Sequence, residues 1–157
     1  DMNSLISKSL FCLNNKVNSL DMFLNPEKIK DYMHVEDFCS SVMDLIIHNI
    51  RNDDFNITAE NPHNTLEIVS LIEEVTGHDL KSVIQWHPET DYLGNHRLSN
   101  EKFVDAIGSS RTRSLKEGIR QSWNSIRDLD SNSDFNPLKY LDEAKDKNIN
   151  LKEFFPK

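Results

Sequence analysis

The chain has 157 residues, a net charge of −8, 37% hydrophobic and 28% charged residues, the make-up of one globular domain with a modest core. The negative balance argues against a nucleic-acid binder, because phosphate contacts demand clustered lysine and arginine. No apolar run approaches the roughly 18 residues of a spanning helix, and the first apolar cluster (Leu5, Ile6, Leu10, Phe11) is broken by Ser and Lys, unlike a signal peptide.

Met2, Leu5, Ile6, Leu10, Phe11 and Leu13 recur at helical spacing and predict a helix over 2–13. Residues 16–24 read as extended, with Val17, Met22, Phe23 and Leu24 as strand material, and Asn25-Pro26-Glu27 turns the chain. Ile29, Met33 and Val35 alternate with polar neighbours and predict a strand over 29–35. A helix follows over about 36–49. Its acidic start, Glu36 and Asp37, suits the positive end of the helix dipole, and Phe38, Val42, Leu45 and Ile46 form an apolar stripe. After Asp53-Asp54, the run Phe55-Asn56-Ile57 reads as a short strand.

The most clearly marked element spans 64–77. Asn64 and Glu67 have the composition of a capping box, Leu66, Val69, Leu71, Ile72 and Val75 supply a buried face, and Gly77 suits a left-handed cap. A strand over 83–86 and a polar loop over 87–96 come next. Ser99 caps a short helix ending near Gly108, and Ser114 with Glu117 opens a helix carrying Leu115, Ile119, Trp123 and Ile126. Residues 129–136, rich in Asp, Ser and Asn, read as a linker to a short helix over 137–147 and an aromatic end, Phe154-Phe155, that docks back. The expected organisation is a mixed α/β domain over 1–128 with a tail over 129–157, without internal repeats.

Cys12 and Cys39 stand in neither metal nor redox spacing. Both fall in apolar helical patterns and read as buried free thiols, in keeping with a reducing, cytoplasmic setting. The four glycines, Gly77, Gly94, Gly108 and Gly118, are scattered, so no glycine-rich turn admits a dinucleotide pyrophosphate. Tyr32, Tyr92 and Tyr140 are followed four residues later by Glu36, His96 and Ala144, not by the lysine that activates a catalytic tyrosine. None of the six histidines has the i, i+4 spacing of a helical zinc site. Neither a catalytic residue nor a metal ligand is therefore assigned. Trp86 and Trp123 read as core anchors, and His87 and His96 as loop histidines beside Asp91.

The run Lys30-Asp31-Tyr32-Met33-His34-Val35-Glu36-Asp37-Phe38 resembles the R-D-[YF]-[IVM]-H/Y-V-x-D segment of the extended short-chain dehydrogenases/reductases, the NAD-dependent epimerase/dehydratase family. Four further pieces follow in the family's order. Phe55-Asn56-Ile57-Thr58 is similar to its [FY]-N-[IV]-G strand, and Ile72-Glu73-Glu74-Val75-Thr76-Gly77 to the end of its I-E-E-x-T-G helix. Residues 99–108 are similar to D-x-S-K-A-x-x-x-L-G, with Lys102 and Gly108 in register, and Ser114-Leu115-Lys116-Glu117-Gly118-Ile119 to S-L-E-E-G-[IL].

The resemblance implies a small mixed α/β substrate-binding domain of an extended short-chain reductase, with the Rossmann half absent from this chain. In such a protein NAD or NADP is bound by the N-terminal half, and this part grips a nucleotide sugar. The partners implied are that substrate, the N-terminal Rossmann half of the same protein and a second copy in a homodimer, with neither nucleic acid nor membrane. Substrate-binding candidates are Lys30, His34, His87, Asn95 and Arg97; Asp37 reads as serving the helix start. Lys30 stands where the family carries arginine, and Pro88 or Glu89 where a second arginine is usual; Thr58 and Ser109 replace a glycine and a tryptophan. These departures mark a divergent branch and keep a second expectation open, a non-catalytic binding or regulatory module with the same fold.

Overall fold

The computed structural model describes residues 4–88, 95, 97–110 and 112–127. The expected linker, tail helix and aromatic end lie outside these residues, as does most of the 87–96 loop.

Three helices make the body. Helix α1 (Leu5–Asn14), helix α3 (Thr65–Thr76) and helix α5 (Leu115–Arg127) pack on one another. They enclose Leu5, Leu10, Ile68, Val69, Ile72, Ile119 and Trp123, joined by Met22, Leu80 and Ile84. Strand β1 (Leu20–Met22) pairs in parallel with β4 (Ile84–Trp86), in the register Leu20↔Ile84, Asp21↔Gln85 and Met22↔Trp86. A second, antiparallel pair joins β2 (Ile29–Lys30) to β3 (His63–Asn64). Helices α2 (Val35–Ile47) and α4 (Glu101–Ile107) complete the order. The mixed α/β class expected from the sequence is what forms, and Trp123 is a core residue as expected.

Helix α3 shows how local chemistry sets an element. The Asn64 side chain accepts from the Glu67 N–H at 2.8 Å, and the Glu67 carboxylate accepts from the Asn64 N–H at 3.0 Å, closing the box. Gly77 ends the helix at φ 72°, a conformation costly for residues with a Cβ. The buried face is Thr65, Ile68, Val69 and Ile72, at i, i+3, i+4 and i+7. Leu66, expected inside, is 42% exposed because it falls off that stripe. Beyond the helix, Glu73 holds the turn into β4. One of its carboxylate oxygens accepts from the Leu80 and Lys81 N–H groups at 3.0 and 2.9 Å, and the other meets Lys81 Nζ at 2.8 Å.

Several expectations are corrected. The strand over 29–35 stops at Lys30, because His34 is a helix N-cap whose Nδ1 accepts from the Glu36 N–H at 3.3 Å; α2 therefore begins at Val35. Phe55-Asn56-Ile57 joins neither sheet among the described residues. Helix α4 is entered through Asn100, with the Ser99 hydroxyl accepting from the Glu101 N–H at 3.2 Å. Cys12 is buried as expected, but Cys39 is exposed, since the face of α2 that bears it is uncovered.

Ile72→Ala should cost about 2–5 kcal/mol by urea unfolding, and Leu66→Ala less than about 1 kcal/mol, because little apolar area is lost there. Burial pushes the Glu73 carboxyl up, yet its bonds to Lys81 and Leu80 outweigh that and hold it below the usual carboxylate range. Its contribution is therefore full above the ordinary glutamate value and fades as pH falls through the depressed one. Glu73→Gln should flatten the acid limb of the stability profile, as read from urea midpoints across pH.

Candidate functional site

The parallel pair ends at a small polar–aromatic cluster. Strand alternation turns Met22 into the core and leaves Asp21 and Phe23 outside. The His87 N–H donates to the Met22 carbonyl at 2.8 Å, so His87 continues β4 past the ladder. Its ring stacks on Phe23 with centroids 4.9 Å apart and planes 21° from parallel. His87 Nε2 also lies 2.8 Å from an Asp21 carboxylate oxygen. Phe23 is 53% exposed, so an aromatic face stands open beside an acid–imidazole pair. Open α/β sheets gather ligands at the carboxyl ends of parallel strands, which is where this cluster sits.

At β2 the backbone fixes a second pair of candidates. Lys30 is opposite His63 in the ladder. The Asn95 side-chain oxygen accepts from the Ile29 N–H at 3.0 Å, which brings Asn95 to the residue preceding Lys30. Arg97 lies exposed on the coil leading to α4. His34 goes elsewhere: besides capping α2, it lines a cavity of about 470 Å³ with Tyr32, Arg113, Ser114 and Gly118. A Cβ on Gly118 would meet the His34 ring at 3.5 Å, ordinary contact distance. Thus Lys30 and Asn95 are neighbours along β2, His87 belongs to the strand-end cluster, and His34 belongs to the cavity.

That cavity is bounded by the tightest ion pair of the chain's middle. Asp37, 7% exposed, accepts from Arg113 Nε and from the Arg113 N–H, each at 2.9 Å, and meets Arg113 Nη2 at 2.8 Å. Arg113 Nη1 reaches Glu36 at 3.1 Å, and Gln121 bonds both Arg113 and Glu36. The bonds from Asp37, then from Glu36, raise the Arg113 pKa above its ordinary value despite partial burial. Hydrogen bonds from Gln121 and then Arg113 hold the Glu36 carboxyl below the usual range. Asp37, read as a helix-start residue, thus spends its side chain on α5 instead.

Sequence reasoning missed Phe23, Asp21 and Arg113 as functional positions. The signal for Phe23 was present: an aromatic residue out of phase with Met22, just before the Asn25-Pro26 turn, has no core to enter. Arg113 had none, because its partner Asp37 is 76 residues away. Among the described residues, no group of His, Cys, Asp and Glu is arranged to hold a metal ion, and no helix is long and apolar enough to cross a membrane.

No family model matches the sequence, and no curated protein matches it. Solved structures do match. A putative epimerase from Burkholderia cenocepacia superposes with a TM-score of 0.69 at 17% identity, over 81% of this chain and 42% of that one. The dTDP-glucose 4,6-dehydratase of Bacillus anthracis, in complex with NAD, gives 0.66 at 19% identity, over 81% and 40%. The UDP-glucuronic acid 4-epimerase of Bacillus cereus, in complex with NAD, gives 0.68 at 16% identity, over 82% and 39%. The described residues therefore have the fold of part of an extended short-chain dehydrogenase/reductase. The chain spans about two fifths of the length of these structures.

Asp37→Ala and Arg113→Ala should each lower the urea midpoint. Their double-mutant cycle should return a coupling of about 0.5–3 kcal/mol, because each single change strands a partly buried partner.

Proposed function

We propose that this chain is the substrate-binding part of an NAD(P)-dependent nucleotide-sugar epimerase, dehydratase or reductase. In this reading it positions the sugar nucleotide against a nicotinamide held by an N-terminal half. The observation that carries the proposal is the open Phe23–His87 face at the carboxyl ends of the parallel strands, within a fold shared with nucleotide-sugar enzymes.

Each residue then has a physical task. Phe23, held by its stack on His87, offers a π face to a nucleobase. Asp21 orients the His87 ring through Nε2. Lys30 supplies a mobile point charge for a diphosphate, where a guanidinium would supply a fork. Asn95 and Arg97 extend the polar surface from the same loop. The described glycines do not cradle a dinucleotide: Gly77 and Gly108 close helices, and Gly118 lies inside α5. What this chain contributes to rate is therefore placement, and a well-oriented encounter lowers a barrier by about 7 kcal/mol or more in favourable cases.

A non-catalytic binding module is the second reading. Lys30 favours it, as a weaker phosphate ligand than the arginine of the segment it resembles. Both readings require nucleotide binding, and turnover separates them.

Titration of the chain with UDP and with dTDP, followed by the NMR signals of His87, should show saturable binding by one of them. Phe23→Ala should weaken it about tenfold, as loss of one base stack does, and Lys30→Ala should weaken the diphosphate but not the nucleoside. Unchanged His87 signals with both nucleotides would remove the sugar-nucleotide reading. The chain alone should leave NAD(P)H absorbance unchanged with any sugar nucleotide. Turnover by the isolated chain would contradict the division of labour proposed.

A further inference from the structure

Helix α2 is built inside out. Val35, Phe38, Cys39, Val42, Met43, Ile46 and Ile47 fall on one helical stripe, the spacing of a face meant for a core. Yet Val35 is 67% exposed, Phe38 48%, Met43 52%, Ile46 62% and Ile47 71%. The residues α2 does bury are polar, Asp37 and Ser41. Asp37 is held by Arg113, and the Ser41 hydroxyl donates to the Asp37 carbonyl at 2.9 Å. The helix is thus fastened by a polar clamp at its first turn and turns its apolar stripe away from the three-helix body. Contiguous apolar faces of this kind mark interaction surfaces in soluble proteins.

The segment after it repeats the pattern at the level of backbone. Phe55-Asn56-Ile57 carries the side chains of a strand, but among the described residues it joins no ladder. A strand needs a partner for its backbone groups, and a one-sided helix needs a layer to cover. A helix with an open apolar face followed by a strand without a sheet is half of a helix-on-sheet layer. The missing half is a sheet. The solved structures that share this fold run to more than twice its length, the chain covering 42%, 40% and 39% of three of them.

We infer that the α2 stripe and the 55–57 strand dock together on the sheet of an N-terminal nucleotide-binding half, α2 covering one face and the strand extending the edge. This rests on the functional reading above, which supplies the occupant. Charge disfavours a second copy: α2 carries Glu36, Asp37 and Asp44 and no basic residue, and each chain bears −8, so two such faces repel as they meet. A sheet face places no such demand.

Cys39 lies on the stripe and is exposed, whereas Cys12 is buried, so the chain carries its own reporter. The test labels thiols with a maleimide in the 157-residue chain and in the protein joined to the N-terminal half of its reading frame. Rapid labelling of Cys39 in the chain should be lost in the joined protein. Ile46→Glu with Ile47→Glu should restore it while leaving the unfolding midpoint of the 157-residue chain unchanged. Equal labelling of Cys39 in both forms overturns the inference. So does a dimer of the 157-residue chain, seen by sedimentation, that Ile47→Glu dissociates, and so does a reading frame with no N-terminal half. A joined protein with protected Cys39 that binds no sugar nucleotide supports the docking and sinks the functional reading. One that turns over sugar nucleotide with Cys39 open does the reverse.

Discussion

The Asp37–Arg113 pair is the constraint on which the middle of the molecule depends. It joins the first turn of α2 to the residue that precedes α5, across 76 positions of sequence. Everything between β2 and α2 is strung from it: Tyr32 and His34 line the cavity that Arg113 and Gly118 close from the other side. Lys30 sits at the upstream end of that strung segment, so the placement of its ammonium depends on a carboxylate seven residues later. A partly buried pair of this kind contributes more to geometry than to net stability, because desolvation offsets much of the attraction. The bidentate hold of Asp37, through both the guanidinium and the Arg113 N–H, fixes the approach of α5 to α2 where an apolar contact would allow sliding.

The hydrophobic body performs a different service. Packing α1, α3 and α5 behind β1 and β4 leaves the carboxyl ends of the two strands at the surface. Met22 is drawn inward, and strand alternation then forces Phe23 outward. The exposed stack with His87 is thus a by-product of core packing that strand pairing makes rigid. Two scaffolds, one apolar and one ionic, position the strand-end cluster and the Lys30–Asn95 edge respectively.

How much of this was legible in the sequence follows the range of the forces involved. The capping box of α3, its Gly77 stop and the core role of Trp123 are local or compositional, and they were readable. The 29–35 strand was misread because alternation extends through Met33 and Val35 while a histidine, a less usual cap than Ser or Asp, starts a helix between them. Leu66 was placed inside because a rich apolar run around α3 offers two overlapping stripes, and only packing against α1 and α5 selects Ile68 over Leu66. Of the site, Lys30 and Asn95 were marked by pattern and do come to one edge. Phe23 was visible but read as strand material. Arg113 was invisible, since no local rule pairs it with Asp37.

The misplaced expectations at α2 and at Phe55-Asn56-Ile57 are of another kind. There the sequence patterns are strong and the described structure leaves them unanswered, with an apolar stripe in water and a strand outside both sheets. Local propensity and global structure agree throughout a consistent fold. Where they disagree in two consecutive elements, and only there, the conflict marks an edge of the cooperative unit. The Asp37–Arg113 clamp explains why the disagreement is tolerated. It supplies α2 with a fixed attachment that does not consume its apolar face, so the stripe remains available and correctly aimed. A hydrophobic attachment would have spent that face on the body and left nothing to cover a sheet.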